Sequence, residues 1–246
     1  MDNQNFNFQE PVEIQTVSSE VMSKTFTARV FSWMFAGLLI TGLTSYIFAA
    51  TPSLIGSLLT QTATGTSMSA LGWVVMFAPL GLVLLMGAGI NKLSYSAMVG
   101  VFFLFSALMG MSLSFIFLAY TMSSIFTVFL IAAGMFGVMA VVGYTTSTDL
   151  TKFGSLMFML LIGIIIASIV NVFMHSSSFS YMISFLCVAV FTGLTAYDVQ
   201  KIKRIGAQIN EDGSTTGKLA ISAALSIYLD FVNLFLALLR IFGNRR

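Results

Sequence analysis

The stretch Leu219–Phe242, LAISAALSIYLDFVNLFLALLRIF, decides the fold class of this protein. It exceeds the ~20 residues that an α-helix needs to cross the hydrocarbon core of a bilayer. Its only charged residues are Asp230 and Arg240. A spanning strand of a β-barrel would be about 10 residues long and would alternate polar with apolar side chains. The unbroken apolar run therefore predicts a membrane-spanning helix.

Six runs of similar length and composition precede it: Phe26–Ala50, Leu71–Ile90, Ser94–Ala119, Ile125–Tyr144, Ser155–Met174 and Phe179–Gln200. Over the whole 246-residue chain 57% of residues are hydrophobic and 8% are charged, with a mean hydropathy of +0.95. Soluble domains carry about 25% charged residues, so this chain has too few charges to cover a surface in water. The sequence predicts an all-α membrane protein, a seven-transmembrane-helix bundle embedded in the lipid bilayer.

We expect three parts along the chain: a polar cytoplasmic tail over residues 1–24, a transmembrane domain over residues 25–243, and a short basic end over residues 244–246. Acidic residues of the tail precede the first apolar run, which argues against a signal peptide. The tail is expected to be unstructured or to lie on the membrane surface. The polar stretch Ile205–Gly217 is predicted to be the longest loop of the second half.

Basic residues alternate between the loops. Lys24 lies before the first run, and Lys or Arg residues occur between runs two and three, four and five, and six and seven, but not in the other loops. Because cytoplasmic loops are enriched in Lys and Arg, the N-terminus is predicted to be cytoplasmic. A seventh crossing then places Arg245 and Arg246 outside, against this rule. The seventh run has no internal Gly or Pro, so we favour a spanning helix over a re-entrant one that returns to the cytoplasm.

Two acidic residues, Asp198 and Asp230, lie inside apolar runs. Asp230 lies near mid-bilayer, where an aspartate costs ~2.5–3.5 kcal/mol on insertion scales. It belongs to a stripe with spacings of three and four residues, which places its members on one helix face: Ser222, Ser226, Asp230, Asn233, Ala237 and Arg240. A polar stripe on an otherwise apolar helix predicts that this C-terminal helix is central in the bundle or lies beside a pore.

Asp198 ends a similar stripe on the sixth run, formed by Ser184, Cys187, Phe191, Thr195 and Asp198. Asp198 lies nearer the cytoplasm than Asp230, but runs six and seven are antiparallel neighbours joined by one loop, so their carboxyl groups could come within a few residues of the same depth. Two neighbouring carboxyls in a low-dielectric medium resist double ionisation and share a proton. We interpret Asp198 and Asp230 as a pH sensor and gate. Any metal cation is expected to bind them weakly and transiently, because two carboxylates fall short of the 6–8 oxygens of a tight calcium site.

Further polar residues are candidates for lining or supporting a pore: Ser226, Asn233, Thr195, Asn171 and Arg240. Purely structural roles remain alternatives to a role in a pore. Asp198 could pair with Lys201 near the interface, and Asp230 could be hydrogen-bonded to Asn233 or Asn171 for helix packing. Stripes of small residues predict close helix packing in three runs: Gly37-Thr41-Ser45, Ser106-Gly110-Ser114 and Gly163-Ala167-Asn171.

Catalytic and nucleic-acid functions find little support in the sequence. His175 is the only histidine, so neither a zinc cluster nor an HExxH motif can form. Intramembrane aspartyl proteases use a G-x-G-D pattern, whereas here Asp198 follows Ala-Tyr and Asp230 follows Tyr-Leu. Net charge is +2 without a basic tract, which argues against nucleic acid. The single cysteine, Cys187, excludes an internal disulfide. We expect no enzyme activity and no cofactor.

Two segments around the aspartates resemble the Bax inhibitor-1 family, also called the transmembrane Bax-inhibitor-motif family. They read Gly193-Leu-Thr-Ala-Tyr-Asp-Val-Gln-Lys-Ile-Lys203 and Ala224-Leu-Ser-Ile-Tyr-Leu-Asp-Phe-Val-Asn-Leu-Phe235. The ending Leu239-Arg-Ile-Phe-Gly243 and the loop Gly143-Tyr-Thr-Thr-Ser-Thr-Asp-Leu-Thr-Lys-Phe-Gly154 are also similar to the family. The resemblance covers residues 25–243 and suggests a bacterial member, in the cytoplasmic (inner) membrane.

The resemblance implies a seven-helix bundle with the last helix central, and a pH-sensitive calcium leak. In that mechanism the aspartates that match Asp198 and Asp230 share a proton and latch the closed state. Relatives also tie one aspartate to an arginine near the end of the second helix. That region reads Gly87-Ala-Gly-Ile-Asn-Lys92 here, so Lys92 is the candidate latch cation. Some bacterial relatives instead modulate a membrane-anchored ATP-dependent protease, which gives the alternative of a binding role without transport.

Overall fold

The computed structural model describes residues 10–62, 65–209 and 213–246, and for residues 10–19 and 62 only the backbone. Helices dominate the described part of the chain, with one short hairpin: α1 (Glu10–Ala50), α2 (Pro52–Ser57), β1 (Leu59–Thr62), β2 (Gly65–Met68), α3 (Ala70–Gly89), α4 (Tyr95–Leu113), α5 (Ile116–Ala119), α6 (Met122–Thr145), α7 (Thr151–Met174), α8 (Ser177–Gln208) and α9 (Ser214–Phe242). The antiparallel hairpin pairs Leu59 with Met68 and Thr62 with Gly65. Gly65 has φ 128°, a conformation that residues with a side chain rarely adopt.

Seven segments are long and apolar enough to cross a membrane: Glu20–Ala50, Ala70–Gly89, Tyr95–Ala119, Met122–Thr145, Thr151–Met174, Ser177–Gln208 and Ser214–Phe242. They follow the seven predicted runs in number and order. The third contains a break between α4 and α5, where the helix ends at Leu113 and restarts at Ile116. The prediction of an all-α, seven-helix membrane protein is confirmed.

Helices extend further into polar sequence than we expected. Since α1 begins at Glu10, residues 10–24 of the predicted tail are helical, and residues 1–9 lie outside the described part of the chain. The predicted loop Ile205–Gly217 is shorter, because α8 continues to Gln208 and α9 begins at Ser214. Polar residues such as Lys, Arg and Gln are good helix formers. They prolong a helix beyond the membrane, where an apolar run no longer marks it.

The C-terminal helix α9 is central. In the most apolar 18-residue stretch of α9, 61% is buried inside the protein, whereas the corresponding share for α7 is 11%. It packs against α8, α1, α6 and α4, and its side chains Ile227, Tyr228 and Leu234 are fully buried. A helix surrounded by protein can carry a polar stripe that does not face lipid.

Close backbone contacts occur at two glycines, Gly110 and Gly143. The small-residue stripe Ser106-Gly110-Ser114 predicted the first of these contacts. A side chain at Gly110 of α4 would collide with the backbone of Thr41 in α1, and one at Gly143 of α6 would collide with the backbone of Ala196 in α8. Gly163 of α7 differs, because nothing lies within 4 Å of the place where its Cβ would be. The packing role predicted for Gly163 is therefore wrong.

Contacts between helix ends define one end of the bundle, which we call the basic end. Ser23, in the first half of α1, donates a hydrogen bond to the Lys203 carbonyl at 2.9 Å. Lys203 in turn donates to the Tyr144 carbonyl at 2.8 Å, and Lys218 at the start of α9 reaches the Leu93 carbonyl at 3.3 Å. Ser23 of α1, the loops after α3 and α6, and the connection between α8 and α9 therefore share this end.

The C-terminus lies at the opposite end. Arg245 forms a β-bridge with Tyr120 in the connection between α5 and α6. Thr121 donates its backbone N–H to the Asn244 carbonyl at 3.1 Å. Since α9 starts at the basic end and finishes here, it crosses the whole bundle. The re-entrant alternative for the seventh run is wrong.

Candidate functional site

A cavity of about 650 Å³ lies beside α9, between α7, α8 and α9, with Leu80 of α3 at its margin. Most of the predicted α9 stripe lines it: Ser226, Asp230, Asn233, Ala237 and Arg240. Most of the predicted α8 stripe does so too: Ser184, Cys187, Phe191 and Asp198. The two stripes therefore form walls of one cavity, and both aspartates border the same space.

Asp198 is held by a residue of the neighbouring helix. Its side chain is 9% exposed, and the Ser226 hydroxyl donates to Asp198 Oδ2 over 2.5 Å across the α8–α9 interface. No ion pair within 4 Å joins Asp198 to Lys201 among the described residues, although Lys201 borders the same cavity and is near enough for its charge to act on Asp198. Asp198 thus depends on α9 for its hydrogen bond.

Asp230 is buried more deeply and is less well satisfied. It is 6% exposed, and its Oδ2 has no hydrogen-bond partner among the described residues. Asn233 donates instead to the Leu229 carbonyl at 2.8 Å, and Asn171 donates to Ser180 Oγ at 2.6 Å, so the structural alternative for Asp230 is not formed. Asp198 is near enough for the two carboxyl charges to interact. An ionised carboxylate that is buried without a donor or a counter-charge costs free energy.

A second cavity, of about 330 Å³, lies towards the basic end between α8 and α9. Lys201 and Ser222 line it, together with Asp198 and Ser226. Asp198 and Ser226 are the residues that border both cavities in the described part of the chain. Their hydrogen bond therefore lies between the two spaces, and we call it the partition.

Three other predicted residues lie away from the cavities. Thr195 is fully buried, and its hydroxyl donates to the Phe191 carbonyl of its own helix at 2.7 Å. Asn171 lies at the end opposite the basic end, bonded to Ser180. Lys92 is exposed in the turn between α3 and α4, and no ion pair described for this chain joins it to an aspartate. The latch expected from Lys92 is not formed here.

Sequence reasoning missed a polar network at the basic end. Gln200 of α8 donates to the Thr148 carbonyl at 2.7 Å and accepts from the Leu150 N–H at 2.9 Å. One turn later, Arg204 binds Asp149 at 2.6 Å. We call these five residues the clasp, since they fasten the loop after α6 to α8. The spacing of Gln200 and Arg204 was visible in the sequence, but their partners more than 40 residues upstream were not.

Asp149 in the clasp is an acid of a different kind. Hydrogen bonds from the Thr151 hydroxyl at 2.6 Å and the Thr151 N–H at 2.9 Å, with the Arg204 guanidinium, hold the pKa of this carboxyl well below its ordinary value. Such a group stays ionised throughout the neutral range and cannot respond to pH there.

The aspartate pair is the main candidate for binding a metal ion. No group of three or more His, Cys, Asp or Glu side chains that could hold a metal ion occurs among the described residues. Asp198 and Asp230 offer carboxylate oxygens, and Ser226 and Asn233 offer neutral oxygens beside the same cavity. This donor set suits brief contact with a hard cation rather than a resident metal.

Comparisons with known proteins agree with this architecture. The family model described as "Inhibitor of apoptosis-promoting Bax1" matches residues 23–246. The chain is 45% identical to the inner membrane protein YbhL of Escherichia coli K12, over 91% of this chain and 93% of the relative. It is 42% identical to a protein of Borreliella burgdorferi (96% and 99% covered) and 41% identical to protein RP147 of Rickettsia prowazekii (94% and 98% covered). This chain is a multi-pass membrane protein that belongs to the Bax inhibitor-1 family.

Proposed function

We propose that this protein is a pH-sensitive cation leak, permeable to calcium, of the bacterial cytoplasmic membrane. Asp198 and Asp230 share a proton in the closed state and control its opening. The basic end and the N-terminus face the cytoplasm, as the Lys and Arg of the loops favour. The proposal includes no catalytic step and no cofactor. Membership of the family and the likeness to an inner membrane protein support the location.

The partition between the two cavities is the observation that carries this proposal. One cavity approaches the basic end and the other extends along α9 to Arg240. Fourteen residues separate Ser226 from Arg240, which corresponds to ~21 Å of helix. Separation of Asp198 from Ser226 would join the two spaces into a continuous polar route along α9. Weak carboxylate sites suit a permeation path, because an ion must be able to leave.

The direction of the pH response follows from the charges. With one shared proton the pair carries a single negative charge. When that proton leaves as pH rises, two anions face each other in a low-dielectric site and repel. Repulsion between α8 and α9 strains the Asp198–Ser226 partition, so opening and flux increase with rising pH.

Calcium flux into liposomes tests the proposal. Purified protein is reconstituted with an internal calcium indicator, and initial rates are measured from roughly pH 5 to pH 9, which spans the range of perturbed carboxyl groups. The wild-type rate should rise by up to about tenfold per pH unit where one proton titrates. Asp198→Asn and Asp230→Asn should each flatten this profile.

Asp149→Asn is the matched control, since it neutralises an aspartate outside the cavities and should keep the wild-type profile. Wild-type rates equal to those of empty liposomes would show that the leak itself is wrong. A leak whose pH profile survives both Asp198→Asn and Asp230→Asn would leave the transport proposal standing and remove the aspartate mechanism.

A further inference from the structure

The larger cavity is open to the bilayer on one side. Among the helix pairs that pack in the described part of the chain, α7 packs on α8, while α3 packs on α4 and touches α9. Leu80 of α3 and Phe158 of α7 border the cavity on this side, and both are more than half exposed, so protein does not cover them. Hydrocarbon of the surrounding membrane therefore has direct access to it.

The walls of this cavity differ in polarity. The α7 wall presents Leu161 and Ile165, and its one polar residue, Ser168, uses its hydroxyl on the Ile164 carbonyl at 2.7 Å. On the α8 wall, Ser184 likewise bonds within its own helix. The α7 wall therefore offers no free donor that would hold water, and a wall of this kind favours apolar contents along it.

Arg240 lies at the outer end of the same cavity. It is exposed, two residues before the end of α9, which places it near the membrane surface opposite the basic end. No hydrogen bond or ion pair of its guanidinium occurs among the described residues. It is also the only Lys or Arg among the residues that line the cavity. Arginine presents a fork of donors that matches a phosphate group.

We infer that this cavity is a binding site for an anionic phospholipid of the surrounding leaflet. The phosphate binds Arg240, and one acyl chain enters between α3 and α7 and lies along the α7 wall towards Asp230. Headgroup phosphates lie at the depth where a helix leaves the hydrocarbon, as Arg240 does. Binding does not depend on ion flux. One consequence does rest on the proposed function: the bound phosphate neutralises the positive charge of Arg240 at the mouth of the cation path.

The single cysteine of the chain is a built-in probe of occupancy. Cys187 lines the cavity and is partly buried, so an acyl chain in the cavity should shield it from a small maleimide. The rate of Cys187 alkylation by N-ethylmaleimide is measured in detergent micelles with increasing dioleoyl-phosphatidylglycerol. Dioleoyl-phosphatidylcholine and oleate are run in parallel at the same concentrations.

Phosphatidylglycerol should slow alkylation of the wild type at least fivefold, and at lower concentration than phosphatidylcholine or oleate. Arg240→Gln should raise the concentration for half-maximal protection about tenfold, equivalent to ~1.4 kcal/mol. Arg245→Gln is the matched control: it removes a basic residue from the same end, outside the cavity lining, and should bind like the wild type. Circular dichroism confirms that both variants are folded.

Phosphatidylglycerol retained after extensive detergent exchange provides a second readout, and it should fall in Arg240→Gln alone. Lack of protection by any lipid would overturn the site. Equal protection by both phospholipids with Arg240→Gln unchanged would overturn the role of the phosphate and Arg240. Stronger protection by oleate would overturn the assignment to a phospholipid. None of these results depends on calcium flux, so they are separable from failure of the leak.

Discussion

Two buried polar groups of α9, the Tyr228 hydroxyl and the Asp230 carboxyl, face opposite sides of the helix and differ in their hydrogen bonding. On the face towards α1 and α4, the Tyr228 hydroxyl is fully buried and lies 2.7 Å from Thr41 Oγ1, which donates to the Ser106 carbonyl at 2.8 Å. Thr41 has one hydroxyl proton, so Tyr228 is the donor to Thr41. On the face towards α7 and α8, Asp230 Oδ2 has no partner among the described residues and Asp198 depends on Ser226.

This contrast separates a face that fixes the bundle from a face that can change. A fully paired buried network favours one arrangement, whereas a group without its partner gains from a proton, an ion or a rearrangement. Aromatic contacts reinforce the first face, with Tyr228 edge-on to Phe105 at 5.2 Å between ring centroids. The cavity replaces such contacts on the second face. We therefore expect substitutions on the two faces to change different properties.

Ser226→Ala should produce the largest effect, because it should make opening of the ion path easier. A hydrogen bond to an ionised group contributes ~1.5–3 kcal/mol, so its loss from the closed state should raise the calcium flux at low pH about tenfold or more. Ser222→Ala, one turn earlier on the same stripe, lines the smaller cavity without a described bond to an aspartate. It should keep the wild-type flux. Equal flux from the two variants would contradict the role of the partition.

Substitutions on the paired face should change stability and leave the pH profile alone. Thr41→Val strands the buried Tyr228 hydroxyl, so the free energy of unfolding should fall by ~1–3 kcal/mol. Tyr228→Phe keeps the Thr41–Ser106 bond and should cost about 0.5–1.5 kcal/mol. Thermal unfolding in detergent measures both. A shift in the pH dependence of calcium flux in either variant would contradict the assignment of stability and gating to different faces of α9.

The clasp should give the smallest effect. Asp149→Asn removes an exposed ion pair, and such pairs contribute little, so the melting temperature should fall slightly. The pKa of Asp149 is lowered in the folded state. Its contribution is therefore complete above about pH 4, the ordinary range of aspartate, and is lost as pH falls below it. The difference in melting temperature between wild type and variant should stay constant from neutral to mildly acidic pH. A change within that range would mean that Asp149 titrates there.

The seven spans and both stripes could be predicted because hydropathy and helical periodicity are local properties of the sequence. A stripe fixes a helix face only to within about one residue, or ~100° of rotation. The predicted α8 stripe therefore included Thr195, whereas Leu194 lines the cavity. The polar stripe predicted that α9 is central or lies beside a pore, and the resemblance to the family implied the central place.

Pairings between distant segments could not be predicted. The bond from Ser226 to Asp198 joins residues 28 positions apart, and Arg204 meets Asp149 across 55 positions. Both depend on how helices are rotated and shifted against one another, which follows from the packing of the whole bundle. Lys92 was the nearest cation in sequence, but α3 makes few contacts with α9 and holds that turn at the surface.

The proton shared by Asp198 and Asp230 can be observed directly by infrared difference spectroscopy of the reconstituted protein. We predict a protonated-carboxyl stretching band at low pH that disappears as pH rises. The pH at which half of the band is lost should coincide with the pH at which calcium flux begins. The band should be lost or shifted in Asp198→Asn and in Asp230→Asn, and should persist in Asp149→Asn. A band that neither cavity substitution changes, or a midpoint far from the onset of flux, would contradict the account.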